Sequence, residues 1–152
     1  MAQEEKELLL KDLCAMLSYD VVVEYEGNNY ILETVNRYDE VQLIGCNFTI
    51  SYYECKPYLR SMSSMTEEEK KDLLATIVGN EGVKYFQVLS DGSIDNTDAT
   101  IQDPNNFNMH WVNFDKDTVT LYLDWCNKNH FDYRGLIEKG LAIEVTEENN
   151  PY

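Results

Sequence analysis

A chain of 152 residues with 43% hydrophobic, 12% aromatic and 26% charged residues has the composition of a globular domain, long enough to bury about two-thirds of its unfolded surface without disulfide staples. Its 28 Asp plus Glu against 12 Lys plus Arg leave a net charge of -16, which disfavours direct binding to nucleic-acid phosphates, a contact that needs clustered cations. Disordered and membrane-embedded classes are excluded by the same numbers.

The first predicted element is an amphipathic helix over residues 4–17, with Leu9, Leu10, Leu13, Cys14 and Leu17 on one side and Glu5, Lys11 and Asp12 on the other. The period then shortens to two. Val21, Val23 and Tyr25 alternate with Glu24 and Glu26, Gly27-Asn28-Asn29 supplies turn residues, and residues 30–35 return as a second strand. Residues 41–44 and the alternation Cys46, Phe48, Ile50, Tyr52 predict a further pair, giving a small antiparallel sheet of about four strands. Pro57 lacks the N–H of a ladder position, so the sheet is expected to stop near Cys55 and residues 56–65 to connect.

Thr66 with Glu69 three residues on is a capping box that starts a helix at Glu67, with Leu73, Leu74, Ile77 and Val78 as its apolar stripe and Gly79 as its stop. Residues 83–89 read as a strand, 90–108 as a long loop, and 109–114 as another strand. A further helix carries Val119, Tyr122, Leu123 and Cys126 on one side and Leu121 and Trp125 on the other, which predicts that it is sandwiched. Asp132 is placed to cap a last short helix with Tyr133, Leu136 and Ile137, stopped by Gly140, before a frayed tail from Thr146 to Tyr152. The whole reads as one α+β domain over 1–152, divisible at 1–60 and 61–152: an N-terminal helix, the sheet, a capped central helix, then C-terminal strands and two helices.

The segments Lys56-Pro57-Tyr58-Leu59-Arg60, Met62-Ser63-Ser64-Met65-Thr66-Glu67-Glu68-Glu69, His130-Phe131-Asp132-Tyr133-Arg134-Gly135-Leu136-Ile137 and Gly140-Leu141-Ala142 resemble those of small uncharacterised proteins encoded by prophages and mobile elements of gut Bacteroidetes. Ser61 departs from the pattern, where a second proline is expected. The resemblance implies a genomic setting, and with it a bacterial host cell; it brings no activity, cofactor or catalytic residue. No apolar run approaches the roughly 18 residues that span a bilayer and no basic patch precedes an apolar stretch at the start, so the expected location is the cytoplasm, away from membranes. Cys14, Cys46, Cys55 and Cys126 lack the two-residue spacing of redox or zinc motifs and are expected as reduced thiols.

Three constellations invite chemistry. Cys126 and His130, four apart, would share a helical face as half of a metal site or a thiol–imidazole pair; the favoured reading is a core cysteine, with His130 held by backbone or by Asp132. Asp91, Ser93, Asp95 and Asp98 have calcium-loop spacing, yet Asn96 replaces the sixth-position glycine and Gln102 the twelfth-position glutamate, so a solvated acidic turn is the favoured reading. Tyr52, Tyr53 and Tyr58, with Glu54 beside them, gather at the expected end of the sheet and form the candidate partner-binding patch, since tyrosine gives large contact area and a wettable hydroxyl; half-buried strand tyrosines are the alternative. Arg134 is expected to pair with a nearby carboxylate, and Gly135 to permit close helix packing.

No catalytic residue, metal or cofactor follows from these patterns. The expected function is a phage- or mobile-element accessory protein that binds a host or phage protein without chemistry. Two alternatives remain: an acidic DNA mimic that blocks a nuclease or DNA-binding protein, and an enzyme whose site has no sequence signature.

Overall fold

The computed structural model describes residues 1–36, 38–96 and 116–152, and the chain divides into one unit of Met1–Ser61 with Asn127–Tyr152 and a second of Met62–Cys126. The fold is α+β. Among the described residues the helices are α1 (Gln3–Met16), α2 (Glu67–Val78) and α3 (Lys116–Lys128), and the strands are β1 (Val22–Tyr25), β2 (Asn28–Val35), β3 (Glu40–Leu43), β4 (Thr49–Ser51), β5 (Lys56–Leu59), β6 (Phe86–Val88), β7 (Ile94–Asn96) and β8 (Ile143–Glu144). None of these helices is long and apolar enough to cross a membrane.

In the first unit, α1 buries Leu9, Leu13 and Met16 completely, and Asp12 with them. This corrects the predicted faces: the spacing 9, 12, 13, 16 is itself a helical stripe, rotated by one residue from the expected one, and it leaves Cys14 exposed. β1 and β2 pair with Tyr25 opposite Asn28, so the turn holds only Glu26 and Gly27, at φ 50° and 78°. Two positive φ angles make a primed turn, whose twist matches that of the strands, and Gly27 takes such a value without steric cost. The asparagines assigned to the turn therefore belong to β2.

The alternation through residues 46–52 overstates β4. Gly45, at φ 88°, turns the chain, the Cys46 N–H donates to the Leu43 carbonyl at 3.1 Å and the Gln42 side-chain amide to the Cys46 carbonyl, so pairing with β3 resumes only at Thr49. Phe48 is left in the loop, 53% exposed.

Contrary to the expectation from Pro57, the sheet continues through it as β5, with Val23 opposite Pro57 and Glu24 opposite Lys56. A residue without an N–H fits the non-hydrogen-bonded position of an antiparallel pair, and pairing on the other side of β5 begins one residue later, where Tyr58 and Leu59 lie beside Ile143 and Glu144 of β8 in parallel. The sheet is thus mixed and six-stranded, in the order β4-β3-β2-β1-β5-β8. One cluster of α1 and sheet side chains, joined by Leu136, Leu141 and Ala142, forms its core.

The residues after Asp132 form turns, where a short helix was predicted. Both Asp132 carboxylate oxygens do accept backbone N–H groups, from Leu136 and Ile137 at 2.8 Å, but Gly135 at φ 72° interrupts a helical path. Gly135 serves that turn, with open space where a Cβ would lie, and not helix packing. Nor does the tail end loosely: the Tyr152 hydroxyl donates to the Tyr58 carbonyl at 2.8 Å and accepts from the Val22 N–H at 3.3 Å.

In the second unit, α2 begins as predicted. The Thr66 hydroxyl accepts from the Glu69 N–H at 3.2 Å, the Glu69 carboxylate accepts from the Thr66 N–H at 2.9 Å, and Glu67 and Glu68 occupy the first turn, where the helix dipole favours anions. Leu73 and Leu74 are buried, and the chain leaves through Gly79 at φ 73°. The predicted strand 83–89 shortens to a 3-10 turn, Val83–Tyr85, and β6, which pairs with β7 across a tight loop. In that loop Gly92 has φ 81°, and a Cβ there would come within 2.0 Å of the Met62 methyl. α3 buries Trp125 and Cys126 toward its end and exposes Val119 and Leu121, so it is not sandwiched along its length. The Trp125 indole N–H donates to the Asp72 carboxylate of α2 at 2.7 Å. The strand predicted at 109–114 lies outside the described residues.

Replacing Thr66 by Ala removes the acceptor for the Glu69 N–H and should lower stability by about 1 kcal/mol, read as a reduced denaturant midpoint with an unchanged slope.

Candidate functional site

The predicted tyrosine patch separates by burial. Tyr52 is 4% and Tyr58 8% exposed, while Tyr53 is 44% exposed and Glu54 is open to solvent. The cause is the 3-10 turn Tyr52–Glu54, which directs Tyr52 into the core while the Glu54 carboxylate closes the turn on the Ser51 N–H at 2.9 Å. Tyr58 is buried within β5. What the turn presents to solvent is the Tyr53 ring, edge-on to Tyr52 at 5.6 Å between centroids and covered at 4.3 Å by the Lys6 ammonium.

Sequence spacing did not bring Phe48 or Tyr25 into this patch. Their rings meet at 6.4 Å and 56°. Burial, then the charges of Glu26 and Glu54, push the Tyr25 hydroxyl above its ordinary pKa. The surface candidates are therefore two aromatic groups, Tyr25 with Phe48 and Tyr53 with Lys6, with the exposed Glu54 next to Tyr53 in the chain. The signal that could have found Phe48 was Gly45, which ends the alternation before the phenylalanine can point inward.

Cys126 and His130 do not pair, in line with the favoured reading of a core cysteine and a histidine held by backbone. α3 stops at Lys128, and His130 sits at φ 57°, so no helical face is shared. Burial pushes the Cys126 thiol up to about 12, partly offset by a hydrogen bond with Tyr122, and leaves it a protonated core group at neutral pH. The His130 Nε2–H donates to the Tyr19 carbonyl at 2.8 Å and its ring stacks on Tyr152 at 4.1 Å and 8°. Burial, with Arg60 nearby, lowers its pKa, so the ring is neutral near pH 7.

Where a solvated acidic turn was favoured over a calcium loop, the Asp91 carboxylate accepts from the Ser93 N–H at 2.9 Å and from the Ser93 hydroxyl at 2.5 Å, the pattern of an Asx turn closing the β6–β7 loop. Asp98 and Gln102 lie outside the described residues, as does His110. Among the described residues no group of three His, Cys, Asp or Glu could hold a metal. A cavity of about 220 Å³ in the second unit is lined by Gly92, Ser93, Ile94, Val119 and Tyr122, and the Tyr122 hydroxyl is engaged by the Gly92 carbonyl at 2.9 Å.

One cluster was only half foreseen. Arg134 does pair with a carboxylate, and the partner is Asp12 of α1, 1% exposed, at 3.6 Å from Nη1 to Oδ1. Among the described residues none donates to Asp12 Oδ2. Burial outweighs the guanidinium, Asp132 adds a like charge, and the Asp12 carboxyl is pushed up from 3.8 to about 7. No family model, curated relative or solved structure matches the chain.

A carboxyl whose folded pKa lies above its unfolded value favours folding fully below the unfolded value, and that advantage is lost as pH rises from about 3.8 to about 7. Asp12→Asn, which removes the buried charge, should therefore stabilise the protein by about 2–4 kcal/mol at pH 8 and have little effect at pH 4, measured as the shift in denaturant midpoint at each pH.

Proposed function

We propose that this protein is a non-enzymatic binding module that recognises another protein through Tyr25, Phe48, Tyr53 and Glu54. The observation that supports this most directly is Phe48: a large apolar ring 53% exposed and in contact with a second ring. Aromatic groups rimmed by polar side chains have the composition of interface hot spots. The net charge of -16 selects partners that present cations around an apolar centre. In the setting implied by the resemblance to prophage and mobile-element proteins, the partner is a host or phage protein, met in the cytoplasm.

The experiment compares capture by the immobilised protein with capture by Phe48→Ala and Tyr53→Ala, then measures affinity for the retained partner. Each substitution should cost about 1–3 kcal/mol, and salt should weaken binding only modestly. Binding that ignores both substitutions but collapses with salt would replace this reading by carboxylate mimicry of DNA phosphates.

A further inference from the structure

The segment Asn127–Tyr152 covers the edge of β5 left open by β1, and it is tied there along its length. The Arg60 N–H donates to the His130 carbonyl at 2.7 Å, the Asp132 N–H to the Arg60 carbonyl at 2.9 Å, and the Val145 N–H to the Leu59 carbonyl at 2.8 Å. Tyr152 hooks the Tyr58 carbonyl, and His130 the Tyr19 carbonyl. Phe131, Leu136 and Leu141 are buried. The contact between Arg134 and Asp12 differs from these ties, since it sets a fully buried carboxylate against a guanidinium at 3.6 Å and leaves Oδ2 without a donor.

We propose that Asp12 is a proton-operated fastening for this segment: protonated, it holds residues 127–152 on α1 and the β5 edge, and ionised, it loosens them and opens that edge. The geometry supplies the reason. A protonated Asp12 is a neutral group in an apolar helix face, whereas an ionised one is a buried anion with one distant partner, and undocking the segment returns it to water.

Among the described residues, the charges that shift Asp12 lie in the segment: Arg134 lowers its pKa, Asp132 raises it, and Tyr152 shares its field. The 3-10 turn Tyr52–Glu54, also packed on α1, presents Tyr53 to Lys6 and Tyr52 to Glu7, and His130 answers to Arg60 and Asp20; none of these is among the charges acting on Asp12. Docked, Asp12 keeps its proton up to about 7; released, only to near 3.8. Opening thus releases a proton between those values, and the opening constant rises by up to about tenfold per pH unit and then levels. The proposal is independent of the aromatic surface.

Amide hydrogen exchange of the intact protein, corrected for intrinsic rates, reads the opening directly. Protection of the Asp132 and Val145 amides should fall on the order of fiftyfold between about pH 5 and about pH 8, while the Asn36 and Ile44 amides of the β2–β3 hairpin stay unchanged. In Asp12→Asn the segment should lose this dependence. A fall shared equally by all four amides, or one that survives Asp12→Asn, would overturn the proposal. Titration of the wild-type Asp12 carboxyl by carbon NMR keeps the test decisive if the variant does not fold: a midpoint near 7 supports the fastening, and one in the ordinary carboxylate range removes it.

Discussion

The larger unit depends on closing the second side of β5. β1 satisfies one side of that strand, and an open strand edge leaves N–H and carbonyl groups seeking partners. The chain that completes it arrives only after residues 62–126, as a single bridge at Arg60 and Phe131 and a two-residue parallel strand. Such short pairing cannot offset the entropy of ordering the segment, so side-chain burial has to. Phe131, Leu136, Leu141 and Ala142 supply it, and three of them join the cluster formed by α1 and the sheet. The sequence-distant segment of this unit therefore adds side chains to the core as well as covering the β5 edge.

That dependence explains what could be read in advance. α1, the hairpin of β1 and β2, and the start of α2 are written in neighbouring residues, through periodicity, a glycine turn and the Thr66–Glu69 exchange. Pro57 misled because the rule against proline in strands assumes a donor is needed, and that need is set by which partners lie on each side. The tail misled for the same reason. Tyr152 looks like the end of a polar run until β1 and β5 offer its hydroxyl a backbone N–H and a carbonyl.

The candidate site shows the same division at finer grain. Tyr53 and Glu54 are exposed because the 3-10 turn sends Tyr52 inward and the next two residues outward, whereas Tyr58 is buried separately, within β5. Residue spacing could suggest a thiol–imidazole pair at 126 and 130, but spacing counts only while the helix lasts, and α3 ends before His130. Phe48 entered the surface through a loop whose shape depends on Gly45.

Two aspartates in the first unit show why partners matter more than residue type. Asp132 is buried and accepts two backbone N–H bonds at 2.8 Å, which hold the turn that follows it. Asp12 is buried more deeply, accepts none on Oδ2, and has only a guanidinium at 3.6 Å. Charge-assisted hydrogen bonds replace the water a carboxylate loses; a distant ion pair in an apolar face does so incompletely. In a chain whose net charge is -16 with Asp12 counted as ionised, that buried anion has Arg134 as its counter-charge. The outcome is a carboxyl that holds its proton to about 7, well above the ordinary range, at the point where α1 meets the segment that closes the sheet.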